Sequence, residues 1–395
     1  MDKRLYWLAL GSFTISTEGF VVSSLLPEIA ADAHISVALA GSLITAFALA
    51  YAIGTPILTT LTGEWDRRKV ILATLALFIA GNLTAAFSSS FTILIMARIL
   101  MALAAGLFAA TAQATAIALV DTHHHARAIA VVVGGTTVAV ALGAPLGALI
   151  GTAVGWRGTF LAIALLAAVA GLVLAWRLPR GLAGSRLPLA ARLAAATRPG
   201  VPTMLVATFL ALTGAFTVFS YIAPLAIRAG GLTELALPGM LLAFGIGAVI
   251  GNIAGGQAAD RFGATTTVCW SLGLGAAALA ALSAIPAFLP REMAGPALIA
   301  MMIPWGIIGW AFPPAQSSRL VDLAPDAPAL VLSLNVSALY FGVAFGSVVG
   351  GAVLDFGVAA DLGWVGALFP LAGLAVTLIA GSRHRSPSPH AVAAE

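Results

Sequence analysis

The sequence predicts an all-α membrane protein whose twelve transmembrane helices form two pseudo-symmetric six-helix bundles. Composition gives the first reason: 61% of the 395 residues are hydrophobic, 9% are charged, and the mean hydropathy is +1.05. A soluble domain carries about 25% charged residues, and a disordered chain is polar rather than apolar. The second reason is a series of twelve apolar runs, each near the roughly 20 residues that a spanning helix needs. Glycine and alanine recur through them, as close helix packing in lipid requires, and barrel-type alternation is absent. The third is charge placement. Of nineteen basic residues, fifteen fall on the side of the amino terminus, Arg157, Arg228 and Arg291 fall on the other, and Arg98 sits inside a run. By the positive-inside rule both termini are cytoplasmic, and a missed or invented span would scramble this division. The pI of about 9.7 therefore reports topology rather than nucleic-acid binding, because the basic residues are scattered in short loops.

In chain order the runs are 5–26, 38–62, 70–87, 91–119, 127–152, 157–177, 201–223, 237–259, 265–285, 296–315, 329–354 and 362–381. Lys3 and Arg4 before the first run and "ADA" at 31–33 resemble a signal peptide. The run is longer than the usual 7–15 residue core, so it reads as a span that stays. Near its middle stands Glu18, at an insertion cost of roughly 2.5–3.5 kcal/mol. The fourth run holds Arg98 and Gln113, and the fifth holds Gly143, Pro145, Gly147 and Gly151. Between them, "HHH" at 123–125 invites a metal reading. Adjacent histidines point in different directions and no carboxylate cluster supports them, so no metal and no other cofactor is expected. The seventh run carries Thr213, Phe216, Thr217, Ser220 and Tyr221; the eighth Asn252; the tenth Trp305 and Trp310; the eleventh Ser333, Asn335, Ser337 and Tyr340. Cys269 in the ninth is the single cysteine, so no internal disulfide can form.

The longest break, 178–200, is rich in Arg, Gly and Pro. It divides a first bundle, 1–177, from a second, 201–381, followed by a cytoplasmic tail, 382–395, expected to be disordered. The halves echo each other. Pro27 and Pro224 are offset by 197 residues, as are "GEWDRRKV" from 63 and "DRFGATTT" from 260. Gly143, Gly147 and Gly151 correspond to Gly342, Gly346 and Gly350 at an offset of 199. Parallel repeats around a midplane site are the architecture of many secondary transporters.

"DRFG" at 260–263 is similar to the cytoplasmic loop signature of the major facilitator superfamily, and the resemblance covers nearly the whole chain. "LTGEWDRRKV" departs from that signature, with Gly63 at the usual aspartate position and Asp66 at the usual glycine. This variant and "TEGFVVSSLLPEIAAD" resemble the sugar-efflux and chloramphenicol-resistance branch of the twelve-span drug:proton antiporters. "GGTTVAVALGAPLGALIG" at 134–151 is similar to the antiporter signature of the fifth span, with Ala144 in place of a common glycine. Arg98 matches the fourth-span signature, with Ala102 where glycine is usual. The resemblance implies the major facilitator fold. It also implies a seal between halves at Gly143, Pro145, Gly147 and Gly151, and a charge network at the inner gate from Asp66, Arg67, Arg68, Asp260 and Arg261, with Gly263 completing the loop signature.

Along a helix rising 1.5 Å per residue, Glu18 lies roughly 20 Å up the first span and Arg98 roughly 10 Å below the outer end of the fourth. Both reach a similar depth and can meet. Burial favours the protonated acid while a nearby guanidinium favours the carboxylate, so the acid's state depends on its neighbour, as proton coupling requires. A fixed structural ion pair is the plainer alternative. Candidate substrate-cavity residues are Thr14, Thr17, Gln113, Thr213, Phe216, Thr217, Tyr221, Asn252, Asn335, Ser337 and Tyr340, because polar groups in lipid-buried helices face the interior. No phosphate loop, Walker lysine or nucleophile elbow is present, so neither ATP-driven pumping nor hydrolysis has residues to perform it. The expected function is proton-coupled export of small organic solutes, such as sugars or drugs, by a monomer in a bacterial-type inner membrane. The alternatives are an uncoupled sugar facilitator and, more remotely, a membrane ligand sensor, for which the short tail offers no signalling domain.

Overall fold

The structure, a computed structural model, describes residues 2–121, 124–182 and 194–383. His123 of the triple-histidine loop, 183–193 of the expected linker and 384–395 of the expected tail lie outside the described residues. Twelve helices are long and apolar enough to cross a membrane: α1 (Arg4–Asp32), α2 (Val37–Leu61), α3 (Arg67–Ala86), α4 (Phe91–Ala118), α5 (Arg127–Val154), α6 (Trp156–Arg177), α7 (Val201–Phe219), α8 (Glu234–Phe262), α9 (Ala264–Phe288), α10 (Arg291–Leu323), α11 (Pro328–Phe356) and α12 (Ala359–Ala380). No strand occurs among the described residues. All twelve sequence runs are matched, and several helices run past the apolar stretch that revealed them. At 33 residues α10 is the longest, with Pro296, Pro304, Pro313 and Pro314 inside it.

Small residues set the packing within each half. In α5, added Cβ atoms at Gly147 and Gly151 would approach Val21 and Leu25 of α1 to 2.7 and 2.5 Å, and one at Gly143 would strike Thr17. In α11, Cβ atoms at Gly342, Gly346 and Gly350 would come within 2.5 Å of the carbonyl oxygens of Phe209, Thr213 and Thr217 on α7. The fifth helix of each half thus lies backbone-close on the first, the contact that small residues permit in lipid. Two irregularities shape the bundle. A π turn at Ala139–Gly143 precedes Pro145 in α5. Beyond Phe219 the backbone breaks at Tyr221 and continues as Ile222–Pro224 and a π turn, Leu225–Ala229.

The halves meet along two seams, α2 with α11 and α5 with α8, and the stretch after α7 packs on α1. The α5–α8 seam runs along the π turn and on into Ala144–Val154, with Val140 and Ala141 lying against Gly245. The row Gly143, Gly147, Gly151 is turned instead toward α1 of its own half. The resemblance implied a seal between halves along this stretch; the π turn that ends at Gly143 and the helix after it both lie against α8.

Candidate functional site

Glu18 on α1 and Arg98 on α4 form an ion pair, with side chains 0% and 1% exposed. The pair also takes in α2: Arg98 Nε donates to Leu43 O at 3.3 Å, and its guanidinium lies 4.4 Å from the centre of the Phe47 ring. Glu18 Oε2 meets no donor among the described residues. Withdrawing two charges from water costs several kcal/mol per ion, and mutual attraction offsets this only when the remaining lone pairs are also satisfied. The carboxylate here is therefore held on one side and bare on the other.

The candidate cavity residues fall into distinct groups. The hydroxyls of Thr14, Thr17, Thr213 and Thr217 donate to Leu10 O, Phe13 O, Phe209 O and Thr213 O at 2.8–2.9 Å, each four residues back on its own helix. In this conformation they are occupied and buried. Gln113 and Asn252 are half-buried on α4 and α8. Ser337 Oγ crosses the α2–α11 seam to Ala52 O at 3.1 Å, and Tyr340 stacks on Tyr51 with ring centres 3.7 Å apart. Phe216 joins a cluster of rings, with Phe20 of α1 reaching Phe219 and Trp310, and Phe219 reaching Phe244 and Trp305. Tyr221 lies instead near the face opposite the termini, 1% exposed.

Asn335 belongs to a network that the sequence did not reveal. Its Oδ1 accepts from Thr208 Oγ1 at 2.7 Å; Gln316 Nε2 donates to Met204 O at 2.6 Å and Thr208 Oγ1 at 3.1 Å; Arg319 donates to Gln316 Oε1 at 2.9 Å. Gln316 and Arg319 were missed because the apolar run ended at 315, while the helix continues for two more turns. Counted as a loop cation from the sequence, Arg319 is a buried helix residue, 9% exposed.

The gate residues have local partners. Asp66 caps α3: Oδ1 accepts from Arg68 N at 2.8 Å and Oδ2 from Gly181 N at 2.7 Å, pinning the start of the linker. The Gly181 hydrogen bond, with those from Arg68 and Lys69, holds the Asp66 carboxyl below the usual range. Arg67 donates to Ala114 O at 2.8 Å and Arg68 to Ala175 O, both in the same half. Asp260 and Arg261 are exposed at the end of α8, and Gly263 turns the chain into α9 at φ +88°, a conformation that favours glycine. The α2–α3 turn uses Asp66, which stands where the "DRFG" pattern has glycine, as a helix cap. No group of three or more potential metal ligands occurs among the described residues.

Twelve apolar helices in paired halves, with no strand among the described residues and a charge pair inside one half, define a multi-pass membrane protein, and the family match makes it a transporter. The chain belongs to the Major Facilitator Superfamily, whose sequence profile matches residues 8–347. It is 35% identical to the inner membrane transport protein YdhP of Escherichia coli K12 over 394 residues, covering 100% of this chain and 99% of that one. It is 34% identical to the MFS-type transporter YbcL of Bacillus subtilis over 95% of this chain and 94% of the relative. It is 32% identical to a chloramphenicol resistance protein of Streptomyces lividans over 90% of each. In fold it is similar to a bacterial homologue of the human lysosomal transporter Spinster, solved in an inward-facing, occupied conformation, at TM-score 0.74, 16% identity and 98% coverage of both chains.

Proposed function

We propose that this protein is a proton-coupled antiporter that exports a small neutral organic solute by alternating access, with both termini in the cytoplasm. The observation that carries the reading is the enclosed pair of Glu18 and Arg98, which joins α1 to α4 and leaves one carboxylate oxygen bare. Protonation of Glu18 ends the ionic attraction and frees Arg98 to move with α4. Because the pair is sealed in this conformation, proton exchange belongs to the alternative one, which couples protonation to the change of access. The hydrogen bonds of Tyr221, Ser337 and Ser347 and the Tyr51–Tyr340 stack join the halves from the middle of the bundle to the face opposite the termini, which supports access from the terminal side in this conformation.

The ring cluster around Phe20 and Trp310 favours a solute that offers a flat apolar face, since aromatic contacts add about 0.5–1.5 kcal/mol beyond area burial. The threonine hydroxyls, already bonded to their own helices, favour sugars less. The name of the Streptomyces relative supports a drug such as chloramphenicol. In proteoliposomes, Glu18→Gln should abolish efflux driven by a pH gradient while the folded fraction still binds solute. Full coupled transport by this variant removes Glu18 from the mechanism; wild-type flux indifferent to the gradient makes the protein an uncoupled facilitator.

A further inference from the structure

We propose that Tyr221 is a positioning residue of the transport cycle: its phenol latches α2 of the first half to α11 of the second on the face opposite the termini. The proposal rests on the alternating-access reading and adds to it the device that holds one side shut. Tyr221 stands where α7 has ended, at φ −119° and ψ 34°, so its ring leaves the helix axis and enters the α2–α11 seam. There it occupies a slot made of glycine. A Cβ on Gly350 would lie 2.6 and 2.7 Å from ring carbons, one on Gly351 2.8 Å from the hydroxyl, and one on Gly41, across the seam, would coincide with the hydroxyl itself. Each of these positions must lack a side chain for the ring to seat.

The hydroxyl has two acceptors, one in each half. It donates to Ser347 O of α11 at 2.9 Å and lies 3.4 Å from Ala38 O of α2. Ser347 returns the contact, its Oγ donating to Gly41 O at 3.0 Å. A phenol has one proton to give. With the seam closed, that proton is shared between halves; with the seam parted, Ser347 O alone still satisfies it. The latch therefore releases without stranding a buried polar group, whose cost would otherwise be about 1–3 kcal/mol. Its hydrogen-bond partners are uncharged main-chain carbonyls, so the closure stands apart from the proton site on α1 and α4.

Two variants test this in a Cys269→Ser background, Cys269 being the only cysteine. Tyr221→Phe keeps the ring and removes the proton; Gly41→Ala puts a methyl group where the hydroxyl sits. Spin labels at Ala31→Cys and Val358→Cys report the far-side gap between halves, and labels at Ala118→Cys and Thr265→Cys report the terminal side. By electron–electron double resonance in nanodiscs, both variants should lengthen the far-side distance and shorten the terminal-side one. The population ratio should shift by up to about fivefold, the worth of one neutral hydrogen bond being the ceiling because the bond to Ser347 O persists in both states. Unchanged distances in folded Tyr221→Phe protein, or a lower melting temperature with no redistribution, overturn the latch. Should Gly41→Ala fail to fold, Tyr221→Phe decides alone. The measurement needs neither solute nor proton gradient, so its failure leaves the antiport proposal standing, and failure of Glu18 coupling leaves the latch standing.

Discussion

Glu18 and Arg98 pair with each other and, among the described residues, with no other charge, and both are removed from water and lipid alike. Removing one member of such a pair is far more damaging than removing both, because the survivor is left buried and uncompensated. Glu18→Ala should thus destabilise the protein by about 3–5 kcal/mol, whereas Glu18→Leu combined with Arg98→Leu should recover most of the melting temperature yet transport nothing against a pH gradient. A double variant as unstable as the single one would show that the damage comes from lost shape rather than a stranded charge. Both residues were legible in the sequence, since a charge inside an apolar run demands a partner at its own depth. Arg319 was not, because the polar residues around it end the hydropathy signal before they end the helix. Thr14 and Thr213 were legible as polar, but sequence does not reveal that their hydroxyls turn back to their own backbone.

Helices with glycine rows depend on what each missing side chain faces. On α11, a Cβ at Gly346 would come within 2.5 Å of Thr213 O, a main-chain atom that moves only if α7 moves. On α5, one at Gly151 would meet the end of the Leu25 side chain, which can rotate. Gly346→Ala should therefore lower stability by about 1–3 kcal/mol, the usual cost of overpacking, and Gly151→Ala by clearly less. Thermal melting of the purified variants checks the order, and equal losses would refute it. The twelve helices were readable from hydropathy because each must supply an apolar surface to lipid. The π turn at Ala139–Gly143 was not, because it alters hydrogen bonding without altering composition. The equivalence of the two rows was visible as spacing; that each lies on the first helix of its own half required the packing.

The whole molecule is held by a few contacts at its loops as well as by its helices. The linker is clipped at its start to Asp66 by Gly181 and near its end to Asp326 by Arg198, through hydrogen bonds of 2.6 and 2.7 Å. The Arg198 guanidinium keeps the Asp326 carboxyl below its ordinary value, as Gly181 does for Asp66. A lowered carboxyl contributes stability above its unfolded value, near 4, and loses it as the pH falls through the folded value. Replacing both aspartates by alanine should lower the melting temperature by a constant margin above about pH 5, and the margin should close below about pH 4. A margin that persists at acid pH would mean that the carboxylate charges contribute nothing.

At the join between halves, three hydrogen bonds end on main-chain oxygens: Tyr221 reaches Ala38, Ser347 reaches Gly41, and Ser337 reaches Ala52. Mutation can delete the donor in such a bond but never the acceptor, which any amino acid supplies. Positions 38, 41 and 52 are therefore free to drift in chemistry, limited only by bulk, and their partners need not change in step. Methods that infer contacts from correlated substitutions across relatives should therefore see these three bonds only faintly, and should register the join through its side-chain pairs, such as Tyr51 with Tyr340.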